Sequence, residues 1–101
     1  MKSVIRYSTK PESADENQRL VEDVYAELAA RDPGGMRYAT LRLADGVTFI
    51  HILMTDFDDT PNTMGDIAAF VEFQRELAQR CVEQPASQAA TVVGSYGLLS
   101  S

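Results

Sequence analysis

The single histidine, His51, is the first residue able to do acid–base chemistry at neutral pH, because imidazole titrates near about 6.5. It stands inside an apolar run, VTFIHILM from Val47 to Met54, flanked at two-residue spacing by Phe49 and Leu53. A histidine so placed is either a general base or polar anchor in a cavity, or a core side chain with a satisfied hydrogen bond. Three tyrosines, Tyr7, Tyr38 and Tyr96, lie in segments of β character, and Tyr25 in a helical one. Phenols lining an apolar cavity can orient a phenol or quinone and hold a developing oxyanion. The same rings can instead fill a core and hydrogen-bond at the tip. Phe49 and Phe70 are expected either to line that cavity or to plug it. Arg6, Arg37 and Arg42 offer guanidinium forks for an acidic substituent, or for the many surface carboxylates.

Other chemistries are excluded or weak. The acidic run Asp56-Phe57-Asp58-Asp59 lacks the central glycine of a helix-flanked calcium loop and reads as a solvated loop. One cysteine, Cys81, excludes an internal disulfide or a thiolate zinc site, and its place on an apolar helical stripe marks an inert thiol. No metal or cofactor is called for. Fifteen acidic against nine basic residues give a net charge of −6, which argues against nucleic-acid partners. No apolar run approaches the roughly 18 residues of a membrane helix, and the first twenty residues lack a signal-peptide core. A cytoplasmic location with no membrane partner is the expectation. The 101 residues make a single domain, 1–101.

The elements that must position these side chains follow from periodicity. Lys2 to Thr9 is β-rich and closed by Lys10-Pro11. Ser13 and Glu16 have capping-box spacing, and Leu20, Val21, Val24, Tyr25 and Leu28 then recur helically until Asp32-Pro33-Gly34-Gly35. Met36 to Leu43 alternates with a period of two, with Met36, Tyr38, Thr40 and Arg42 on one face. An Asp45-Gly46 turn returns the chain into Val47–Met54 as an antiparallel hairpin. The apolar content of that strand on both faces suits a central position. After a polar loop, Thr63 and Asp66 repeat the cap spacing. Ile67, Phe70, Val71, Leu77, Ala78 and Cys81 mark a long second helix that Pro85 stops. Ala90 to about Tyr96 is predicted as the last strand.

The order βαββαβ predicts an α+β, ferredoxin-like domain: a four-stranded antiparallel sheet with both helices on one face. Its other face stays apolar whichever way the third strand turns, since Val47, Phe49 and Leu53 lie on one side and Ile50, Ile52 and Met54 on the other. A patch on the order of 500 Å² is worth roughly 12 kcal/mol at about 25 cal/mol per Å², before association entropy is subtracted. The expected solution is a homodimer whose sheets pack face to face.

The element order, the VTFIHILM strand, the helix DIAAFVEFQRELAQRC and the closing ATVVGSYG together resemble the dimeric α+β barrel superfamily. The nearest branch is the antibiotic biosynthesis monooxygenase-like domains. The resemblance covers nearly the whole chain and rests on pattern rather than on a catalytic motif. It implies a ligand cavity between sheet and helices and, in some members, oxygenation of aromatic or quinol-type substrates without a cofactor. Many relatives carry a glutamate and a tryptophan where this strand ends Leu53-Met54-Thr55-Asp56, and several place a histidine on the second helix, where this chain has Phe70, Phe73 and Arg75. Those differences argue against haem degradation. Two functions stay open: an oxygenase using His51 as base, with Tyr7, Tyr38, Phe49, Phe70 and Tyr96 around a small apolar or aromatic ligand, or a non-catalytic homodimeric module that binds a small ligand or is structural.

Overall fold

A computed structural model describes residues 2–32, 34–55 and 67–97. Strand β1 (Lys2–Thr9) leads through a tight 3₁₀ turn (Pro11–Ser13) into α1 (Ala14–Arg31). The hairpin β2 (Met36–Arg42) and β3 (Thr48–Thr55) comes next, then α2 (Ala68–Arg75), the single turn α3 (Leu77–Arg80) and β4 (Cys81–Ala89). The four strands form one antiparallel sheet in the order β2-β3-β1-β4. This is the ferredoxin-like arrangement expected from the element order.

The register decides which side chains share a face. Tyr7 pairs with Phe49 and Ile5 with His51 on β1 and β3, while Thr40 pairs with His51 and Tyr38 with Leu53 across β2 and β3. All of these point toward the helices, because alternate residues of a strand share a side. Val21 and Val24 of α1, Phe73 of α2 and Leu77 of α3 close over them, and Tyr7 and Phe49 stack with ring centroids 5.6 Å apart. Each such fully buried apolar side chain contributes about 1.5–3 kcal/mol. On the opposite face Val4, Ile50, Ile52 and Met54 are half-buried, with Ala39 and Leu41 exposed beside them.

Local signals explain most boundaries. Asp32 ends α1 in the left-handed region (φ 49°), its N–H donating to the Leu28 carbonyl. In the hairpin turn Gly46 takes φ +80°, a backbone state glycine reaches without strain. The Asp45 carboxylate there accepts from the N–H groups of Val47 and Thr48 and from the Thr48 hydroxyl, which holds its carboxyl below the ordinary carboxylate range. The start of α2 is capped from outside: Glu27 of α1 accepts from the N–H of Ala68 at 3.2 Å and of Ala69 at 2.9 Å. These bonds hold the Glu27 carboxyl low and tie α2, which carries Phe70 and Phe73, to α1.

Several expectations are corrected. The Ser13–Glu16 capping box does not form: Ser13 is in a helical conformation without a side-chain cap, its N–H bonded to the Lys10 carbonyl in the preceding turn. The second helix does not run to Pro85. It breaks at Glu76 and finishes at Arg80, so Cys81 opens a strand instead of lying on a helical stripe. Val71 is half exposed, and Phe73 takes the inner position, because the buried row steps Ile67, Phe70, Phe73, Leu77. The last strand is Cys81–Ala89, not Ala90–Tyr96. It was hidden because β4 is a polar edge strand, paired only with β1. Pro85 is tolerated because the missing N–H falls where the register slips between Arg6↔Ala86 and Ser8↔Glu83, a bulge on an edge. Residues 90–97 are irregular, and Val93 and Tyr96 there are fully exposed. The acidic run Asp56–Asp59 and the Thr63/Asp66 cap lie outside the described residues.

Candidate functional site

His51 sits in the middle of β3, 3% exposed, with both ring nitrogens occupied. The Tyr7 oxygen lies 2.9 Å from Nε2 and the Tyr38 oxygen 2.7 Å from Nδ1, with Thr40 Oγ1 at 3.2 Å from the same Nδ1. Three strands supply these groups, and only their register brings them together. The network extends outward. Asn17 of α1 donates Nδ2–H to the Tyr7 oxygen at 2.8 Å, and Arg80, at the end of α3, donates Nε–H to the Asn17 carbonyl at 3.1 Å. Arg80 also donates from Nη2 to the Phe73 carbonyl at 2.7 Å and lies over the Phe73 ring. On the other flank the Tyr25 hydroxyl is 2.7 Å from Thr40 Oγ1.

Burial sets the protonation states. It lowers the His51 pKa from 6.5 to about 4, since the cationic ring would be cut off from water and, among the described residues, no carboxylate compensates. His51 is therefore neutral at pH 7. Burial likewise raises Tyr7 and Tyr38 well above the ordinary phenol value, so both keep their protons; the Asn17 bond offsets part of the rise at Tyr7. Cys81 is raised by burial as well, as suits an unreactive thiol.

A cavity of about 100 Å³ opens beside the imidazole. Ile5, Leu53, Phe70, Phe73, Leu77 and Pro85 make its walls mostly apolar, and Tyr7, Tyr38, His51 and Gln74 supply its polar groups. An apolar cavity of about 150 Å³ takes up benzene, so this one has the scale of one small ring at most. Among the described residues no three His, Cys, Asp or Glu side chains gather as a metal site.

Of the candidate residues, His51, Tyr7, Tyr38 and Phe70 converge on this cavity. Phe49 does not: buried beneath Tyr7, it borders a separate groove of about 290 Å³ with Gln18, Val21, Glu22, Tyr25, Thr40 and Arg42. Tyr96 does not line the cavity of its own chain, because β4 ends at Ala89 and the tail carries this ring into solvent. Arg42 is engaged by Asp15, Gln18 and the Gly46 carbonyl. Asn17, Thr40, Phe73 and Arg80 were not anticipated. A signal for two of them existed. Asn17 falls three after Ala14 and four before Val21 on the buried stripe of α1, and Arg80 three after Leu77, so each puts a polar group where the period requires an apolar one.

The fold is that of a ferredoxin-like α+β domain, and it is similar to the fold of antibiotic biosynthesis monooxygenases. Solved structures support that likeness. A putative antibiotic biosynthesis monooxygenase from Nitrosomonas europaea matches with a TM-score of 0.74 at 16% identity, over 91% of this chain and 88% of that one. A second structure, described as an antibiotic biosynthesis monooxygenase, matches with a TM-score of 0.73 at 13% identity, over 92% and 98%. SnoaB, a cofactor-independent oxygenase from Streptomyces nogalater, matches with a TM-score of 0.63 at 20% identity, over 93% and 96%. No family model matches the sequence, and no curated protein does at a significant level.

Proposed function

We propose that the chain is a cofactor-independent oxygenase, active as a homodimer, for a small electron-rich aromatic of phenol or quinol type. The observation that carries this reading is the neutral imidazole held between two phenols in the wall of a mostly apolar cavity. The structural likeness to a cofactor-independent oxygenase supports it. In the proposed reaction the Tyr7 oxygen takes the hydroxyl proton of the substrate as Tyr7 passes its own proton to His51 Nε2, so that His51 is the base and Tyr7 its relay. The phenolate passes one electron to dioxygen, and the radical pair joins at a ring C–H carbon as a C–O–O⁻ peroxide. The proton held on His51 returns by way of Tyr7 to the distal oxygen, and loss of water leaves C=O, so a phenol and O₂ become a quinone and H₂O. The cavity's part is exclusion of water and positioning.

The weak basicity of His51 does not defeat this scheme. Moving a proton from an acid of pKa about 10 to a base near 4 costs about 8 kcal/mol at 1.36 kcal/mol per unit. A turnover of about 10 per second permits a barrier of about 16 kcal/mol. The homodimer reading is supported by the helix-free sheet face, where Val4, Leu41, Ile50, Ile52 and Met54 are contiguous through the strand register. A cytoplasmic site of action belongs to the same reading; no described helix is long and apolar enough to cross a membrane.

One observation favours a rival, a non-catalytic binder of small apolar molecules: the cavity of about 100 Å³ is below the roughly 300–1,000 Å³ usual for ligand pockets. Oxygen uptake separates the two. Wild type is expected to consume oxygen with single-ring quinols, slowly or not at all with the three-ring anthrone, and at least a hundredfold faster than His51→Ala. Equal rates in the two proteins would remove His51 from the mechanism. Quinol binding without uptake would establish the binder.

A further inference from the structure

Arg80 is a buried cation, 6% exposed, and among the described residues no carboxylate forms an ion pair with it. Its backbone is pinned by the bond from Lys10 N–H to its carbonyl, and its side chain by the Phe73 carbonyl. A guanidinium can only donate, so the atom of Asn17 that faces Arg80 Nε must be the carbonyl oxygen. The Asn17 amide NH₂ is thereby turned to the Tyr7 oxygen, which accepts. Tyr7 has one proton and must spend it on the remaining neighbour, His51 Nε2. Nε2 is then the acceptor nitrogen of a neutral ring, and the ring proton resides on Nδ1, where the Tyr38 oxygen accepts it at 2.7 Å.

We propose that Arg80 is a positioning residue that, acting through Asn17 and Tyr7, fixes the Nδ1–H tautomer of His51 and leaves the Tyr38 hydroxyl proton, which otherwise goes to Thr40, for a cavity ligand. Every bond in the chain Arg80, Asn17, Tyr7, His51, Tyr38 then runs in one direction, and the direction is set at its buried end. The ligand class that Tyr38 can meet is a single ring carrying an acceptor atom, with Gln74 the other polar side chain within reach of the cavity. This last step rests on the cavity being the ligand site, as proposed above; the tautomer does not.

The test is a long-range ¹H–¹⁵N correlation spectrum of the wild-type protein at pH 7.5, with the sole histidine labelled. A pyridine-type Nε2 and a pyrrole-type Nδ1 are expected. The reverse pattern would overturn the proposal. Asn17→Asp is nearly isosteric and pairs its charge with Arg80, but it offers Tyr7 only acceptors. Tyr7 must then turn its proton to residue 17, and the tautomer is expected to switch to Nε2–H; an unchanged spectrum would refute the relay. Should that variant not fold, Tyr7→Phe serves, since removing the donor to Nε2 should release a mixture of tautomers, and a single unchanged form would refute the relay equally. For the ligand step, pyridine and benzene are matched probes. Tyr38→Phe should weaken pyridine about fivefold, the scale of one neutral hydrogen bond, and leave benzene unchanged. Equal loss for both overturns the Tyr38 assignment. None of these readouts depends on oxygen consumption, so they fail separately from the oxygenase reading.

Discussion

The cost of keeping His51 neutral makes a stability prediction that one residue controls. In the folded chain its pKa is about 4 against 6.5 for an exposed imidazole, so between these values the unfolded chain binds a proton that the folded chain refuses. Stability therefore falls as pH falls through that window and is unaffected above it. Taking the two values, lowering the pH from 7.5 to 5 should remove about 2 kcal/mol, and reaching pH 4 about 3 kcal/mol. The groups facing the ring do not confuse the measurement. Tyr7 and Tyr38 are pushed to higher pKa by burial and stay protonated throughout, and the losses from Glu27 and Asp45, whose carboxyls are held low in the folded chain, are common to the wild type and the His51→Gln control. Urea unfolding at fixed protein concentration would read the effect as a midpoint shift of about 1–2 M, for a slope of about 1–1.5 kcal/mol/M. His51→Gln provides the control, because it removes the only histidine. Its midpoint should be nearly flat between pH 7.5 and 5. A wild type as flat as the variant would refute the claim that the imidazole is buried without charge compensation.

Further outcomes are expected. In light scattering behind size exclusion the chain should run at twice its own mass, and Ile50→Glu, which puts a charge at the centre of the helix-free sheet face, should halve that mass; a wild-type monomer at micromolar concentration would remove the dimer. Phe73→Ala deletes a ring that packs on Tyr7, His51 and Phe70 and should cost about 3–5 kcal/mol in urea unfolding, while enlarging the cavity enough to raise benzene affinity. Gly46→Ala should cost about 1 kcal/mol, read as a lowered urea midpoint, because the turn needs φ +80° there even though a Cβ meets nothing closer than Arg42 Nη2 at 4.0 Å.

Local rules carried the first four elements. The period-two alternation of Met36–Arg42, the Asp45-Gly46 turn, the VTFIHILM strand and the helical stripe through Val21 and Val24 each depend on neighbours a few residues away, and each folded as that pattern requires. Element order and the richness of β3 were enough to place that strand at the interior of the sheet. The C-terminal third defeated the same rules. Cys81–Ala89 has neither alternation nor β propensity, and becomes a strand because β1 offers a free edge and a bulge absorbs Pro85. Thr91–Tyr96 has the propensity yet pairs with no strand of the single chain, which shows that propensity alone does not make a strand.

The candidate site divides in the same way. Residue type alone marked His51 and the strand tyrosines as the groups with chemistry in them, and strand parity placed Tyr38 and Thr40 on one face. Only the tertiary structure put Tyr7 and Tyr38 on opposite nitrogens of one imidazole, sent Phe49 and Tyr96 elsewhere, and recruited Asn17 and Arg80 from two helices. The reason is the range of the interactions. Helices and turns are written in contacts between near neighbours, whereas the Tyr7–His51 bond spans 44 positions and the Asn17–Arg80 bond 63. Bonds of that reach, and the burial that lowers the His51 pKa, exist only once the sheet has chosen its register and the helices have closed over it.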